Sequence, residues 1–335
     1  MSGRESEYRK QADPLHGKQV TAGAVNHEKW PQLSKFNLEV PLVGGLGNQL
    51  FILAFALHQK LILGNAASLK QAMPGFGNKT HSIKLMEEID NPWGLLVDQD
   101  GWGETIGLKA QRILAKSMGE NARGLWGLPH QITEIDFAKM SLRARNENIV
   151  ERIRVMGYFQ KFQYLEELQH AGHLKEIRPK IMSNWYLMMR DKISTDKSIA
   201  IHVRRGDFLS RRGPGSLSLD FYREALQQHF VLDDMDRVVV FSDSISEVRE
   251  EFSKLTVPVP IHFIFPPNHS SVAESLSLMS LFPNLIMSNS TFSWWAATTG
   301  NLGKKIISPD TWSQSSKDSP NLVSDKWIRS ASLWM

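Results

Sequence analysis

From Leu38 onward, short β-branched apolar runs alternate with segments whose apolar residues fall at helical spacing. The alternation is clearest between residues 198 and 309. Residues 198–203 predict a strand, 218–230 a helix, 237–241 a strand, 244–254 a helix and 261–265 a strand. A helix over 271–282, a strand over 284–287, a helix over 292–300 and a strand over 305–308 complete the series. Strand and helix in strict turn predict a parallel sheet covered on both faces, a doubly wound α/β unit. The spacings Ser244-x-x-Glu247 and Ser271-x-x-Glu274 predict capping boxes at two of its helices.

The first half is less regular. A short strand over 38–43 runs into Gly44-Gly-Leu-Gly47, and a helix follows that carries Leu50, Phe51, Leu53, Ala54, Leu57 and Leu61 on one periodic stripe. Residues 64–127 are rich in Gly and Trp with weak periodicity, and 158–190 are mostly helical in pattern. This reads as a second α/β unit with irregular connections. The expected division is therefore a polar tail over 1–36, one α/β domain over 37–196, another over 197–312, and a segment over 313–335 that packs back across the junction.

Composition narrows the picture. The 335 residues suit about two domains, and 41% hydrophobic with 22% charged residues suffices for folded cores. The absence of cysteine excludes disulfides, zinc–thiolate sites and thiol nucleophiles, and suits a reducing compartment. The longest apolar run of the first third, 50–57, is far short of the roughly 20 residues of a membrane span, and the polar opening predicts no secretory signal. A net charge of +4 suits an anionic small molecule as well as anything larger.

Candidate chemistry gathers at strand ends, where open α/β sheets bind ligands. In His202-Val-Arg-Arg-Gly-Asp207, alternation puts His202 and Arg204 on one face and Ile201 and Val203 on the other. Two guanidiniums at a strand tip suit a phosphate, while an ion-paired loop in which Asp207 neutralises Arg205 is the plainer alternative. Ser288-Asn-Ser-Thr-Phe-Ser-Trp-Trp295 leaves a strand and enters a helix, so Ser290, Thr291 and Ser293 stand where free N–H groups meet an anion. Ordinary N-capping needs only one of those hydroxyls. Trp294 and Trp295 read as core. Asp243, in Phe241-Ser-Asp-Ser244, could accept from a nucleobase or ribose, or could serve the next helix. Gly44-Gly-Leu-Gly-Asn-Gln49 lacks the third glycine of a dinucleotide fingerprint, leaving a tight turn with the Asn48 amide at the helix cap. Asp234-Met-Asp236 precedes its strand and does not read as a metal site.

Taken together, Gly44-Gly-Leu-Gly-Asn-Gln-Leu-Phe51, Gly157-Tyr-Phe-Gln160, His202-Val-Arg-Arg-Gly-Asp207 and Ser288-Asn-Ser-Thr-Phe-Ser-Trp-Trp-Ala-Ala297 resemble the α-1,2-fucosyltransferase family of galactoside 2-fucosyltransferases. The resemblance implies a GT-B-like fold, with two Rossmann-like domains whose parallel sheets face a cleft: an acceptor-side domain over 37–196 and a GDP-sugar-binding domain over 197–312. It implies inverting, metal-independent transfer of L-fucose from GDP-β-L-fucose to the 2-hydroxyl of a galactose, with no cofactor. By position, Arg204 would bind the diphosphate, His202 and Asp243 the nucleoside, and Ser290, Thr291 and Ser293 would complete the phosphate pocket. Asn48 would reach the reacting centre from the acceptor side, and Asp207 is the candidate base. The chain differs from its relatives at Ser275, where they carry Asp, and at Phe282, Asn284 and Leu285. The expected partners are GDP-fucose and a galactose-containing glycan, not nucleic acid. The expected location is a microbial cytoplasm, peripheral to membranes where the acceptor is lipid-linked. A transferase of the same fold using another nucleotide sugar or linkage, a polyanion binder using Arg204, Arg205, Arg211 and Arg212, and a silent nucleotide-sugar binder are the competing readings.

Overall fold

The computed structural model describes residues 36–71, 84–91, 94, 95, 97, 98, 130–133, 135, 137, 138, 152–174, 176–193, 197–209, 215–300, 303–314 and 322–335. The tail over 1–35, most of 64–127, Arg211 and Arg212 lie outside them.

Two parallel sheets organise the chain. The first is built from β1 (Asn37–Leu42), β2 (Ala66–Gln71), β3 (Val97–Asp98), β4 (His130–Thr133) and β5 (Arg152–Met156), in the order β3-β2-β1-β5-β4. Strand alternation sets its faces. Leu38, Val40 and Leu42 enter the core, while Glu39 on the other face is held by Arg154 at 2.7 Å and Lys70 at 3.8 Å. Helix α1 (Leu46–Leu61) follows β1, and its residues are buried from Leu46 to Gln59 with Asn48 half-buried. A helix enclosed in this way needs apolar residues on nearly every side, which is what 50–57 supplies. A short helix α2 (Leu85–Glu88), then α3 (Phe162–His170) and α4 (Asn184–Lys192), complete this half.

The second sheet contains β6 (Ser198–Val203), β7 (Arg237–Ser242), β8 (Ile261–Phe263), β9 (Asn284–Ile286), β10 (Lys305–Pro309) and β11 (Ile328–Ser330), ordered β11-β10-β9-β6-β7-β8. Helices α5 (Leu219–His229) and α6 (Ile245–Phe252) bury Phe221, Tyr222, Leu226, Val248 and Phe252 against Ile199, Ile201 and Val203. On the opposite face lie α7 (Val272–Ser280) and α8 (Thr291–Thr298), whose Leu276, Met279, Trp294 and Trp295 join one core with α1 and the first sheet. Both faces are covered, as the strand–helix alternation predicts. The two units face a cleft in the GT-B-like manner.

Local expectations divide. Ser271 and Glu274 form the capping box at α7, whereas Ser244 caps α6 without a side-chain bond and its own N–H donates to the Ser242 hydroxyl at 3.1 Å. The segment after 312 supplies edge strand β11 to the second sheet, and its Trp327 also meets Phe162 of α3. Phe282 is buried against Phe241, and Asn284 donates to the Ser198 carbonyl. Asp234 sits in a turn before β7, at the end of the sheet away from the strand tips. Among the described residues no helix is long and apolar enough to cross a membrane, and no group of three or more His, Asp or Glu could hold a metal ion.

Candidate functional site

A cavity of about 680 Å³ lies between the halves at the carboxyl ends of β6 and β7. From the first half it is lined by the turn Gly45-Leu-Gly-Asn48 with Tyr158 and Gln160. The second half contributes His202, Arg204, Asp207 and Phe208, the end of β7 through Asp243, the Pro266–Pro267 loop, the start of α7 with Ser275, and Ser290, Thr291 and Phe292.

The α1 and α8 N-termini meet at this cavity. Gly44 takes φ +80° to turn the chain into α1, a left-handed conformation that glycine adopts without strain. The N-cap is Gly45, so Asn48 is the third residue of the helix and not its cap. Gly47 abuts α8 closely: a Cβ there would stand 2.6 Å from the Thr291 carbonyl carbon. The Trp295 indole donates to the Gly47 carbonyl at 2.9 Å and fastens the two helices together. Neither helix carries an acidic residue in its first turn, so both positive ends stay available to an anion. The nearby start of α7 differs: Glu88 accepts from the Ser271 hydroxyl and the Ala273 N–H, and Glu274 accepts from the Ser271 N–H.

Arg204 leaves the end of β6 into the cavity. Its Nη2 donates to Asp207 Oδ1 at 2.7 Å, its Nη1 lies 3.2 Å from Asp243 Oδ2, and its guanidinium covers the Phe208 ring at 5.3 Å. The Nε–H is buried and finds no partner among the described residues. Arg205 corrects the expectation of two guanidiniums at the strand tip. It is fully buried, forked onto Glu251 at 3.1 and 2.6 Å, and donates to Ser216 Oγ and the Leu217 carbonyl. Asp207 therefore pairs with Arg204, not with Arg205. Arg205 lies just past the end of β6, and its side chain runs to the side of the loop where Glu251 of α6 and the Ser216–Leu217 segment before α5 receive it.

His202 is buried beside the cavity with Nδ1 2.7 Å from Ser288 Oγ. Burial, with the charge of Arg204 adding to it, pushes its pKa down to about 3, so the ring is neutral near pH 7. Asp243 is fixed by the Arg205 N–H at 2.9 Å and lies against Gly206, whose φ of +27° places the chain close to the carboxylate. Ser290 caps α8 by accepting from the Phe292 N–H, and Thr291 lines the cavity. Ser293 corrects another expectation: one turn into the helix, its fully buried hydroxyl donates to the Ser288 and Ser290 carbonyls at 3.1 Å and does not line the cavity. Trp294 and Trp295 are core, as read from the sequence.

Asn48 Oδ1 accepts from Gln160 Nε2 at 2.9 Å. Sequence reasoning gave Gln160 and Tyr158 no role of their own. Phe159 between them is buried, stacked on Phe55 at 3.9 Å, and holds a left-handed φ of 51°, unusual outside glycine. That backbone turns its neighbours onto the cavity wall. Glu251, the anchor of Arg205, carried no sequence signal, because it lies 46 residues away on α6.

Residues 150–330, more than half of the chain, match the model of glycosyl transferase family 11. The α-1,2-colitosyltransferase of Escherichia coli is 25% identical over 315 residues, covering 86% of this chain and 97% of that protein. The O-antigen biosynthesis glycosyltransferase WbnK of Escherichia coli is 30% identical over 137 residues, 38% of this chain and 43% of that protein's length. Among solved structures, the NodZ α-1,6-fucosyltransferase of Bradyrhizobium soaked with GDP-fucose aligns with a TM-score of 0.44 at 14% identity, covering 78% of this chain and 92% of that one.

Proposed function

Because the chain belongs to glycosyl transferase family 11, we propose that it transfers L-fucose from GDP-β-L-fucose to the 2-hydroxyl of a galactoside, with inversion and without a metal. The observation that carries this reading is the meeting of Arg204 with the two uncapped-by-acid helix starts, α1 and α8, in one cavity at the strand ends. That arrangement suits a diphosphate. As the acceptor oxygen bonds to the sugar's anomeric carbon, the bond from that carbon to the β-phosphate oxygen breaks, and negative charge grows on departing GDP. A fixed guanidinium and oriented N–H dipoles stabilise that charge without reorganising. The acceptor proton passes to Asp207 or to solvent. His202, neutral, and Asp243 serve the nucleoside, Ser290 and Thr291 the phosphates, and Asn48, steadied by Gln160, faces the acceptor.

A second reading is favoured by the relative that spans 86% of the chain: transfer of a colitosyl residue, a fucose lacking one hydroxyl. Both readings place the enzyme in a microbial cytoplasm acting on soluble or lipid-linked glycans. The polyanion-binding alternative loses Arg205 to the core. The deciding experiment incubates the protein and lactose with GDP-fucose or GDP-colitose and determines the product linkage by NMR. An α-1,2-fucoside supports the proposal, a colitosyl product alone moves it to the second reading, and GDP-dependent transfer to a different hydroxyl refutes the linkage.

A further inference from the structure

The wall that the first half gives to the cavity is uncharged among the described residues: the turn Gly45-Leu-Gly-Asn48, Tyr158 and Gln160. Most aromatic rings around the cavity are already engaged. Phe208 lies under the Arg204 guanidinium at 5.3 Å, Phe292 tilts over His202 at 5.5 Å, Phe241 is buried against Phe282, and Trp312 packs on the main core. Tyr158 differs. It is 42% exposed and makes no ring or cation contact among the described residues.

The open ring is nevertheless held in place. The next residue, Phe159, is buried and stacked on Phe55, and its left-handed φ of 51° turns Tyr158 onto the cavity wall. Gly44, at φ +80°, makes room beside it: a Cβ there would meet Tyr158 Cε1 at 3.2 Å and Asn48 Nδ2 at 2.8 Å. Ring and amide thus approach one backbone position with no side chain between them. Because Asn48 Oδ1 accepts from Gln160 Nε2 at 2.9 Å, the Asn48 amino group is left to donate and Gln160 Oε1 to accept.

An open aromatic face beside a donor and an acceptor matches the two kinds of surface on a pyranose. The negative ring face attracts the weakly positive C–H groups, and the amides take hydroxyls. The galacto configuration suits such a site best, because its axial 4-hydroxyl leaves the hydrogens on carbons 3, 4 and 5 as one continuous apolar face. Resting on the galactoside transfer proposed above, we propose that Tyr158 is the stacking platform for the acceptor's terminal galactose and sets its preference over glucose. Asn48 and Gln160 take hydroxyls at the rim of the stacked sugar, and the equatorial 2-hydroxyl stays at its edge, open to the opposite wall.

The test combines saturation-transfer NMR of methyl β-galactoside on the wild type with GDP present and transfer kinetics of the wild type, Tyr158→Ala and Tyr158→Phe. The platform predicts strongest saturation at the hydrogens on carbons 3, 4 and 5. It also predicts that KM for methyl β-galactoside rises about tenfold in Tyr158→Ala, that Tyr158→Phe restores it, and that GDP affinity by calorimetry stays the same. The preference for methyl β-galactoside over methyl β-glucoside should shrink in Tyr158→Ala alone. Saturation centred on other hydrogens, an unchanged KM in Tyr158→Ala, or a Tyr158→Phe as impaired as Tyr158→Ala would overturn the platform and leave the transfer reading standing. Loss of GDP affinity to the same extent as the acceptor's would overturn it too, since Tyr158 would then act through the shape of the whole cavity. A wild type that neither binds nor fucosylates the galactoside would instead overturn the reading on which the platform rests.

Discussion

Gly47→Ala tests the meeting of the two helix starts that builds the cavity. The added methyl would stand 2.6 Å from both the Thr291 carbonyl carbon and Oγ1, and 2.7 Å from the Phe292 nitrogen. Two of these three are backbone atoms, so no rotamer change relieves the contact. Neither helix can slide easily: α1 is enclosed along its length, and α8 is keyed to it by Phe51 packed on Trp294 at 4.4 Å and on Trp295 at 5.2 Å. Overpacking of this kind costs about 1–3 kcal/mol, or roughly 1–4 °C in Tm for a chain of this size. The helix starts must also move apart, which weakens the joint hold on the diphosphate; a loss of about 1.4 kcal/mol is about tenfold in affinity. Gly64→Ala is the control. Gly64 has φ +71° with nothing within 4 Å of an added Cβ, so alanine there is strained locally, costs about 1 kcal/mol, and leaves the cavity alone. Thermal unfolding and GDP calorimetry on both variants separate the two effects. Wild-type affinity and stability in Gly47→Ala would refute the close approach of α1 and α8.

Two further outcomes follow from buried charge. Glu251→Ala leaves the fully buried Arg205 guanidinium without its carboxylate and should cost about 3 kcal/mol in urea unfolding; a change under about 0.5 kcal/mol would show that the pair does not anchor this loop. His202 has its folded pKa pushed down to about 3, below the unfolded value near 6.5, so the unfolded chain takes up the proton first. Stability should therefore fall as pH drops below about 6.5 and continue falling toward about 3, at no more than about 1.4 kcal/mol per pH unit from this group. His202→Gln should lose that contribution, and parallel pH profiles for the two proteins would contradict the assignment.

The second sheet was legible from β6 to β10 because those strands are short runs bounded by turn residues and alternating with helices, a pattern that implies parallel pairing and two covered faces; edge strand β11, Ile328-Arg-Ser330, carries no such run and was not foreseen. Strand ends located the cavity for the same reason: His202, Arg204 and Asp243 fall where alternation stops. What sequence could not show was which way neighbouring side chains point beyond a strand end. Arg204 and Arg205 look equivalent in the chain, yet one enters the cavity and the other is locked onto Glu251, a partner far away in sequence. Ser293 was indistinguishable from Ser290 by composition, but the helix turns its hydroxyl back toward the carbonyls behind it. Gly47 read as a turn glycine, and only the packing shows that it admits a second helix. Tyr158 and Gln160 depend on the left-handed backbone of Phe159, a conformation that no local propensity announces.

The central claim is that Arg204 stabilises the departing diphosphate without help from a metal. Its most direct measurement is the rate of fucose transfer from GDP-fucose to lactose by the wild type and Arg204→Ala, each with EDTA. Wild-type transfer unaffected by EDTA, with a loss of at least ~10²-fold in kcat for the variant, is the predicted result. Full activity in Arg204→Ala, or abolition of wild-type transfer by EDTA with recovery on adding a divalent cation, would contradict it.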